Sequence, residues 1–208
     1  QTTFLPRNMA TIAPNRQGLG GSEVFITSLD DQAAAKRFQR AAQSGALVRV
    51  TEGIYVPNGS AEEISLRVHS HWQKIAGALY PGAVVSHRSA FTRGITPEGV
   101  LVLSHPTHFN RKRVLQGGLT IVLMKGPGPL GEDLALGASG LYWSSRPRTL
   151  LENLGISRTH PPRRAGRHAV EEQLVGILNA SGEAELNRIR DKARELAVPL
   201  RAQREFNE

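Results

Sequence analysis

Residues 28–57, SLDDQAAAKRFQRAAQSGALVRVTEGIYVP, contain a start signal, a helical body, a stop and a return. Ser28 with Asp31 three residues on is an N-cap pattern with an acid in the first turn, and Ala34, Phe38, Ala41 and Ala42 recur behind it at helical spacing. Gly45 ends the helix. The period then changes. Leu47, Val48 and Val50 lead into the turn Thr51-Glu52-Gly53, and Ile54, Tyr55 and Val56 run back to Pro57, which stops the strand. The segment predicts one helix followed by a tight hairpin.

Such a unit is the back half of a winged helix, in which the helix ahead of the hairpin enters the major groove of double-stranded DNA and the hairpin tip lies beside a phosphate backbone. Lys36, Arg37 and Arg40 on the helix, with Arg49 and Thr51 leading into the tip, have the chemistry for phosphate contact. A small helix on a two-stranded ribbon also occurs in domains that bind no nucleic acid, and helical cations commonly form a solvated face. With four cations against three acids the segment is close to neutral, so both readings stand at this point. Residues 1–22 have no period, two prolines and three late glycines, which predicts an extended, flexible segment. The one or two helices that open a complete winged helix have no counterpart there. Residues 24–26 predict a short strand able to pair with the hairpin.

The 208 residues, 39% of them hydrophobic, suffice for a real core in one or two domains. The absence of cysteine excludes disulfides, thiolate chemistry and zinc-thiolate fingers, and fits a reducing cytoplasm. No apolar run approaches the roughly 20 residues of a membrane span, and the first residues have no long apolar core of a secretion signal, so no membrane partner is expected. Net charge is +8 with a pI near 10.6, which favours an anionic partner, nucleic acid first. Residues 61–130 carry eight cations against three acids, so the excess lies mid-chain, beside the helix-hairpin unit. If DNA binds, the two parts are expected to share one footprint.

Further along, residues 61–80 predict a helix with Ile64, Val68, Trp72, Ile75 and Leu79 on one stripe. Its His69 and His71, two apart, point in different directions and make a poor chelate. Ser86 is placed to cap a short helix containing Ser89, Ala90 and Phe91, closed by Gly94. Ser86, His87 and Ser89 do not amount to a nucleophile and base, for there is no nucleophile elbow and no recognisable orienting acid. Arg88 and Arg93 are candidates for phosphate contact.

Strands are predicted over residues 100–104, 118–124 and 141–145. The loop between the first two has His105, His108 and the consecutive cations Arg111, Lys112 and Arg113, with no carboxylate or cysteine set for a metal. Nucleic acid or solvent is its expected neighbour. The run Gly126-Pro127-Gly128-Pro129-Leu130-Gly131 lacks the Lys-Ser/Thr ending of a phosphate loop and predicts a rigid turn. A short helix follows over residues 146–154, then a basic linker, then amphipathic helices over 168–180 and 182–197 whose stripes need something to pack on, within the chain or in a homodimer. The chain opens on Gln1 rather than methionine and closes without a helix breaker, a pattern that predicts a piece of a longer protein.

The combination SGALVRVTEGIYV, AVVSHRSAFTRGI and YWSSRPRTLLENL resembles the AbiEi type of antitoxin-like regulator over about residues 24–155. In that family a winged helix precedes an α+β domain and the protein represses its own toxin-antitoxin operon. The resemblance implies DNA contact through the helix bearing Lys36, Arg37 and Arg40 and through the hairpin around Arg49, Thr51 and Gly53, with a cognate toxin as a further partner. The segment AVEEQLVGILNASGEAELNRIRDKARELA resembles the one that joins such a region to a Fic domain, which transfers AMP to a hydroxyl on a target protein through a motif of His, Phe, an acid and Gly-Asn-Gly-Arg. That motif is absent, so the chain as given cannot perform the transfer.

The expected fold class is α+β: a winged-helix-like part over residues 23–60, an AbiEi-like α+β domain over 61–157, and a basic linker with a helical extension over 158–208. The expected function is that of a cytoplasmic, non-enzymatic, DNA-binding regulator that needs no cofactor or metal. The alternatives are a protein-interaction region of a Fic-type AMP-transferase and a restriction-type nuclease. Against the nuclease, a metal site of that type wants several clustered acids, and residues 84–130 contain only Glu98.

Overall fold

A computed structural model describes residues 24–27 and 31–207. Ser28 and the segment 1–22 lie outside the described residues. The fold is α+β, with a long helix near its C-terminal end. Helix α1 (Gln32–Gln43) is capped by Asp31, whose carboxylate accepts from the Ala34 amide at 2.8 Å. Strands β2 (Leu47–Thr51) and β3 (Ile54–Pro57) form the expected hairpin, and β1 (Phe25–Ile26) pairs antiparallel with β3. Phe38, Leu47, Tyr55 and Phe25 pack α1 onto one face of this three-stranded sheet. Val50 and Val56 point through the other face into the main core.

The expected helix over 61–80 is two helices, α2 (Ala61–Ser70) and α3 (Trp72–Leu79). At His71 the backbone leaves helical geometry, and its Nδ1 bonds the Arg67 carbonyl at 2.9 Å. A capping box starts α2: Ser60 Oγ accepts from the Glu63 amide, and Glu63 accepts from the Ser60 amide. Next come β4 (Val84–Val85), α4 (His87–Phe91), β5 (Val100–His105), β6 (Arg111–Val114), β7 (Thr120–Lys125), β8 (Leu134–Ala135), a 3-10 turn (Gly137–Ser139) and β9 (Tyr142–Trp143). They form a six-stranded mixed sheet in the order β6-β7-β5-β4-β9-β8. The basic run Arg111-Lys112-Arg113 is therefore part of an edge strand and not a loop.

The parallel pair β5–β7 is covered on both faces, which is why both strands read as unbroken apolar runs. Leu101, Leu103, Ile121 and Leu123 face α2, α3 and the hairpin sheet, sharing one core with Val50, Val56, Val68 and Ile75. Val100, Val102 and Val122 face the opposite way, where Ser89 of α4 accepts from the Val102 amide at 2.8 Å. That second layer holds α4, α5 (Arg146–Asn153), α6 (Arg167–Ala197) and α7 (Gln203–Asn207). Gly182, at φ 77°, breaks α6 at the place where the sequence pattern divides the tail into two helices. Among the described residues no helix is long and apolar enough to cross a membrane.

Gly77 is buried in α3 where the helix meets the 3-10 turn, and a Cβ there would overlap the Ser139 carbonyl. Gly77→Ala should therefore destabilise the protein by about 1–3 kcal/mol despite alanine's better helix propensity. Urea unfolding monitored by circular dichroism would measure this, and an unchanged midpoint would contradict the close approach.

Candidate functional site

The candidate residues fall on both sides of the six-stranded sheet. On the hairpin side, Lys36, Arg37 and Arg40 are exposed on α1, Lys36 and Arg40 on the face turned away from Phe38 and Arg37 on its flank, the Arg37 guanidinium 5.1 Å from the Phe38 ring centroid. Arg49 is exposed on β2, where its Nε donates to the Thr51 carbonyl at 3.4 Å. Between α1 and the hairpin runs an open groove of about 720 Å³, lined by Gln32, Gln39 and Gln43 on one side and Arg49 and Glu52 on the other.

The groove ends at the hairpin tip, where β6 begins to contribute. Arg113 Nη1 donates to Thr51 Oγ1 at 3.3 Å, and the Gln116 amide donates to the Val50 carbonyl at 3.1 Å. Arg113 lies 6.0 Å from the Tyr80 ring, and His108 stands 6.2 Å beyond that ring. Arg111, two positions from Arg113 on β6, shares its face. Thus Arg113, with Arg111 on the same face of β6, meets the hairpin tip at Thr51, while Arg49 lines the groove beside α1.

The other candidates do not join them. Lys112 points to the opposite face of β6, into a hollow that Glu98 and Arg163 also line. Arg88 on α4 is held by Glu98 at 2.8 Å and by the Pro162 carbonyl at 3.3 Å. Arg93 is exposed just after α4, in the same helical layer. The mid-chain charge excess is thereby split by the sheet.

The histidines have structural partners. His105 Nδ1 accepts from the Thr107 and His108 amides at 3.1 and 2.9 Å, so its ring closes the loop, and burial lowers its pKa. His69 Nδ1 bonds the Ser65 carbonyl at 2.8 Å. His87, buried, places Nδ1 2.9 Å from Ser86 Oγ and 3.9 Å from Glu152, so hydroxyl and acid meet the same ring nitrogen. A nucleophile-base-acid relay needs them on opposite nitrogens. Burial pushes the His87 pKa down, with Glu152 opposing it.

Sequence reasoning missed the centre of the second layer. Arg148 is fully buried, and its guanidinium meets Glu152 at 2.9 Å, Asp133, Ser104 Oγ at 2.9 Å and the Gly128 carbonyl at 3.0 Å. Burial pulls its pKa down, but Glu152 and Asp133 more than offset this and hold it above the ordinary arginine value. The only local signal was the Arg148/Glu152 spacing, since the other partners are remote in sequence. Both acids are committed to the guanidinium, and among the described residues no three His, Asp or Glu side chains converge as a metal group would need. No family model matches this chain, and no curated protein matches it either.

Two outcomes follow for stability. Arg148→Met leaves two buried carboxylates without their cation and should cost about 3–5 kcal/mol, whereas Arg88→Ala, at a partly exposed pair, should cost about 1 kcal/mol or less, both read by urea unfolding. The second concerns pH. The unfolded chain protonates its histidines as pH falls through about 6.5, but folded His87 and His105 resist protonation, so stability is level above that pH and declines below it. Each contributes at most about 1.4 kcal/mol per pH unit. His87→Asn, tolerated at φ 50°, should flatten the decline between pH 7 and 5, and an unaltered slope would remove His87 as its source.

Proposed function

We propose that this chain is a duplex-DNA-binding regulatory module of the antitoxin-like kind, with α1 in the major groove and the hairpin and β6 against a phosphate backbone. The hydrogen bond from Arg113 to Thr51 carries this reading, because it joins the basic edge strand to the hairpin tip and makes one cationic surface from two distant parts of the sequence. The exposed face of α1 adds the amides of Gln32, Gln39 and Gln43 to Lys36 and Arg40, a set able to contact both base edges and phosphates. The AbiEi-like resemblance supports the same reading and adds autoregulation of a toxin-antitoxin operon. Glu52 at the tip opposes close approach of a phosphate, so binding rests on the surrounding cations.

A second reading, a protein-interaction region ahead of a Fic-type transferase domain, draws on the tail. There Val175, Leu178 and Val198 are 56, 42 and 66% exposed.

Salt dependence separates the two readings. Duplex carrying the chain's own upstream region should bind more tightly than a scrambled duplex, with affinity falling steeply as salt rises. Replacing Lys36, Arg40 and Arg49 together by alanine should reduce the slope of log K against log salt by about three, one per lost phosphate contact. Changing Arg93 and Lys112 to alanine, on the other side of the sheet, should leave the slope unchanged. Absence of binding at low salt would reject the DNA reading in favour of the interaction module.

A further inference from the structure

Strand β6 turns Lys112 away from the hairpin, into a small hollow between the sheet and the linker that follows α5. Val100 of β5 with Thr120 and Val122 of β7 form its floor, since alternate residues of adjoining strands share one face, and Lys112 stands opposite Val122 in the register. The linker forms the facing wall and is held in place. Ser157 Oγ accepts from the Arg163 amide at 2.8 Å, and the Arg163 carbonyl accepts from the Arg88 amide at 3.0 Å. The Arg88 guanidinium then donates to the Pro162 carbonyl at 3.3 Å and to Glu98 at 2.8 Å, which ties the linker to the residues that lead into β5. A hollow of about 210 Å³ is thereby preformed between two fixed stretches of backbone.

The charge around it does not balance. Glu98 is the one carboxylate lining the hollow, and Arg88 already neutralises it. Lys112 Nζ makes no hydrogen bond or ion pair among the described residues, and neither does the Thr120 hydroxyl. Half-buried Arg163 makes one side-chain contact, from Nη1 to Met124 Sδ at 3.5 Å, and a thioether is a weak acceptor. Three donors, two of them cationic, therefore surround a floor of valine side chains with no oxygen to satisfy them. A guanidinium drawn partly out of water without such an oxygen is costly, and an anion entering the hollow removes that cost.

We infer that this hollow binds a small organic carboxylate with a short, branched aliphatic body. The carboxylate oxygens take the fork of Arg163 and the ammonium of Lys112, with the Thr120 hydroxyl as a third donor, and the aliphatic body lies on Val100 and Val122. The volume is too small for drug-sized molecules, whose pockets begin at roughly 300 Å³. The valine floor disfavours inorganic phosphate, which presents oxygens on every side. Because Lys112 and Arg113 occupy opposite faces of β6, the site stands apart from the proposed DNA surface and does not depend on that reading.

Titration of the isotope-labelled full chain with isovalerate at constant low ionic strength, followed by amide chemical shifts, tests this. Shifts at the Lys112, Thr120 and Arg163 amides should saturate together as one site. Isoamyl alcohol, which keeps the body and loses the charge, and inorganic phosphate, which keeps a charge and loses the body, should each bind about tenfold more weakly or worse. Arg163→Gln with Lys112→Gln should weaken isovalerate binding by about tenfold or more, as befits lost charge-assisted bonds. Lys74→Gln with Arg93→Gln, which removes the same charge elsewhere on the surface, should leave it unaltered. Circular dichroism verifies folding, and Lys112→Gln alone, at an exposed side chain of an edge strand, keeps the test available if the double variant does not fold, with an expected weakening of about threefold or more. Shifts that do not saturate, equal weakening by both double variants, or phosphate binding as tightly as isovalerate would overturn the site.

Discussion

A guanidinium cannot sit in a protein interior without partners, and Arg148 sits there with no exposure at all. Its neutralisation dictates the surroundings. Glu152 must lie one helical turn along α5, Asp133 must be brought in by the loop after β7, and the carbonyls of Pro127 and Gly128 must turn inward. Asp133 in turn accepts from the Leu130 and Ser145 amides, and Glu152 accepts from the His87 amide. One charge thus fixes the glycine-proline loop, the start of α5 and the start of α4 relative to the end of β5. A hydrophobic residue would fill the space, but it would not dictate which carboxylate and which carbonyls point where.

From that fixed point the sheet divides the molecule. Because β5 and β7 bury both faces, each face needs its own cover: α2, α3 and the hairpin sheet on one side, the later helices on the other. Strand pleat then decides which cation reaches which solvent surface. Arg113 and Lys112 are neighbours in sequence, yet one meets the hairpin tip and the other the hollow beside Glu98 and Arg163.

These facts explain what the sequence disclosed. The α1–hairpin unit was legible because Phe38 and Ala34 keep a helical period, Gly45 stops it, and Leu47 to Val56 alternate about a Thr-Glu-Gly turn. Strand β6 was not, since Arg111-Lys112-Arg113-Val114 is an edge strand with little to bury and so lacks the alternation by which strands are recognised. The break at His71 was hidden because the apolar stripe from Ile64 to Leu79 continues across it. Of the candidate site, the cations of α1 and the hairpin could be grouped from local spacing. Separating Arg88, Arg93 and Lys112 from Arg113 required knowing which face of the sheet each one occupies.

Net charge behaves the same way. Helix α6 holds five Arg and Lys residues against six acids, and pairs such as Arg188 with Glu185 at 2.9 Å and Lys192 with Glu195 at 2.9 Å settle most of that charge within the helix. The excess of +8 therefore lies outside α6, and among the described residues Arg49, Arg111 and Arg113 stand on the hairpin side of the sheet and Arg88, Arg93 and Lys112 on the helical side. The six-stranded sheet stands between them. A positive total that reads as one preference for anions therefore resolves into cations on two sides of the sheet, and the sum alone does not say which of them one surface can gather.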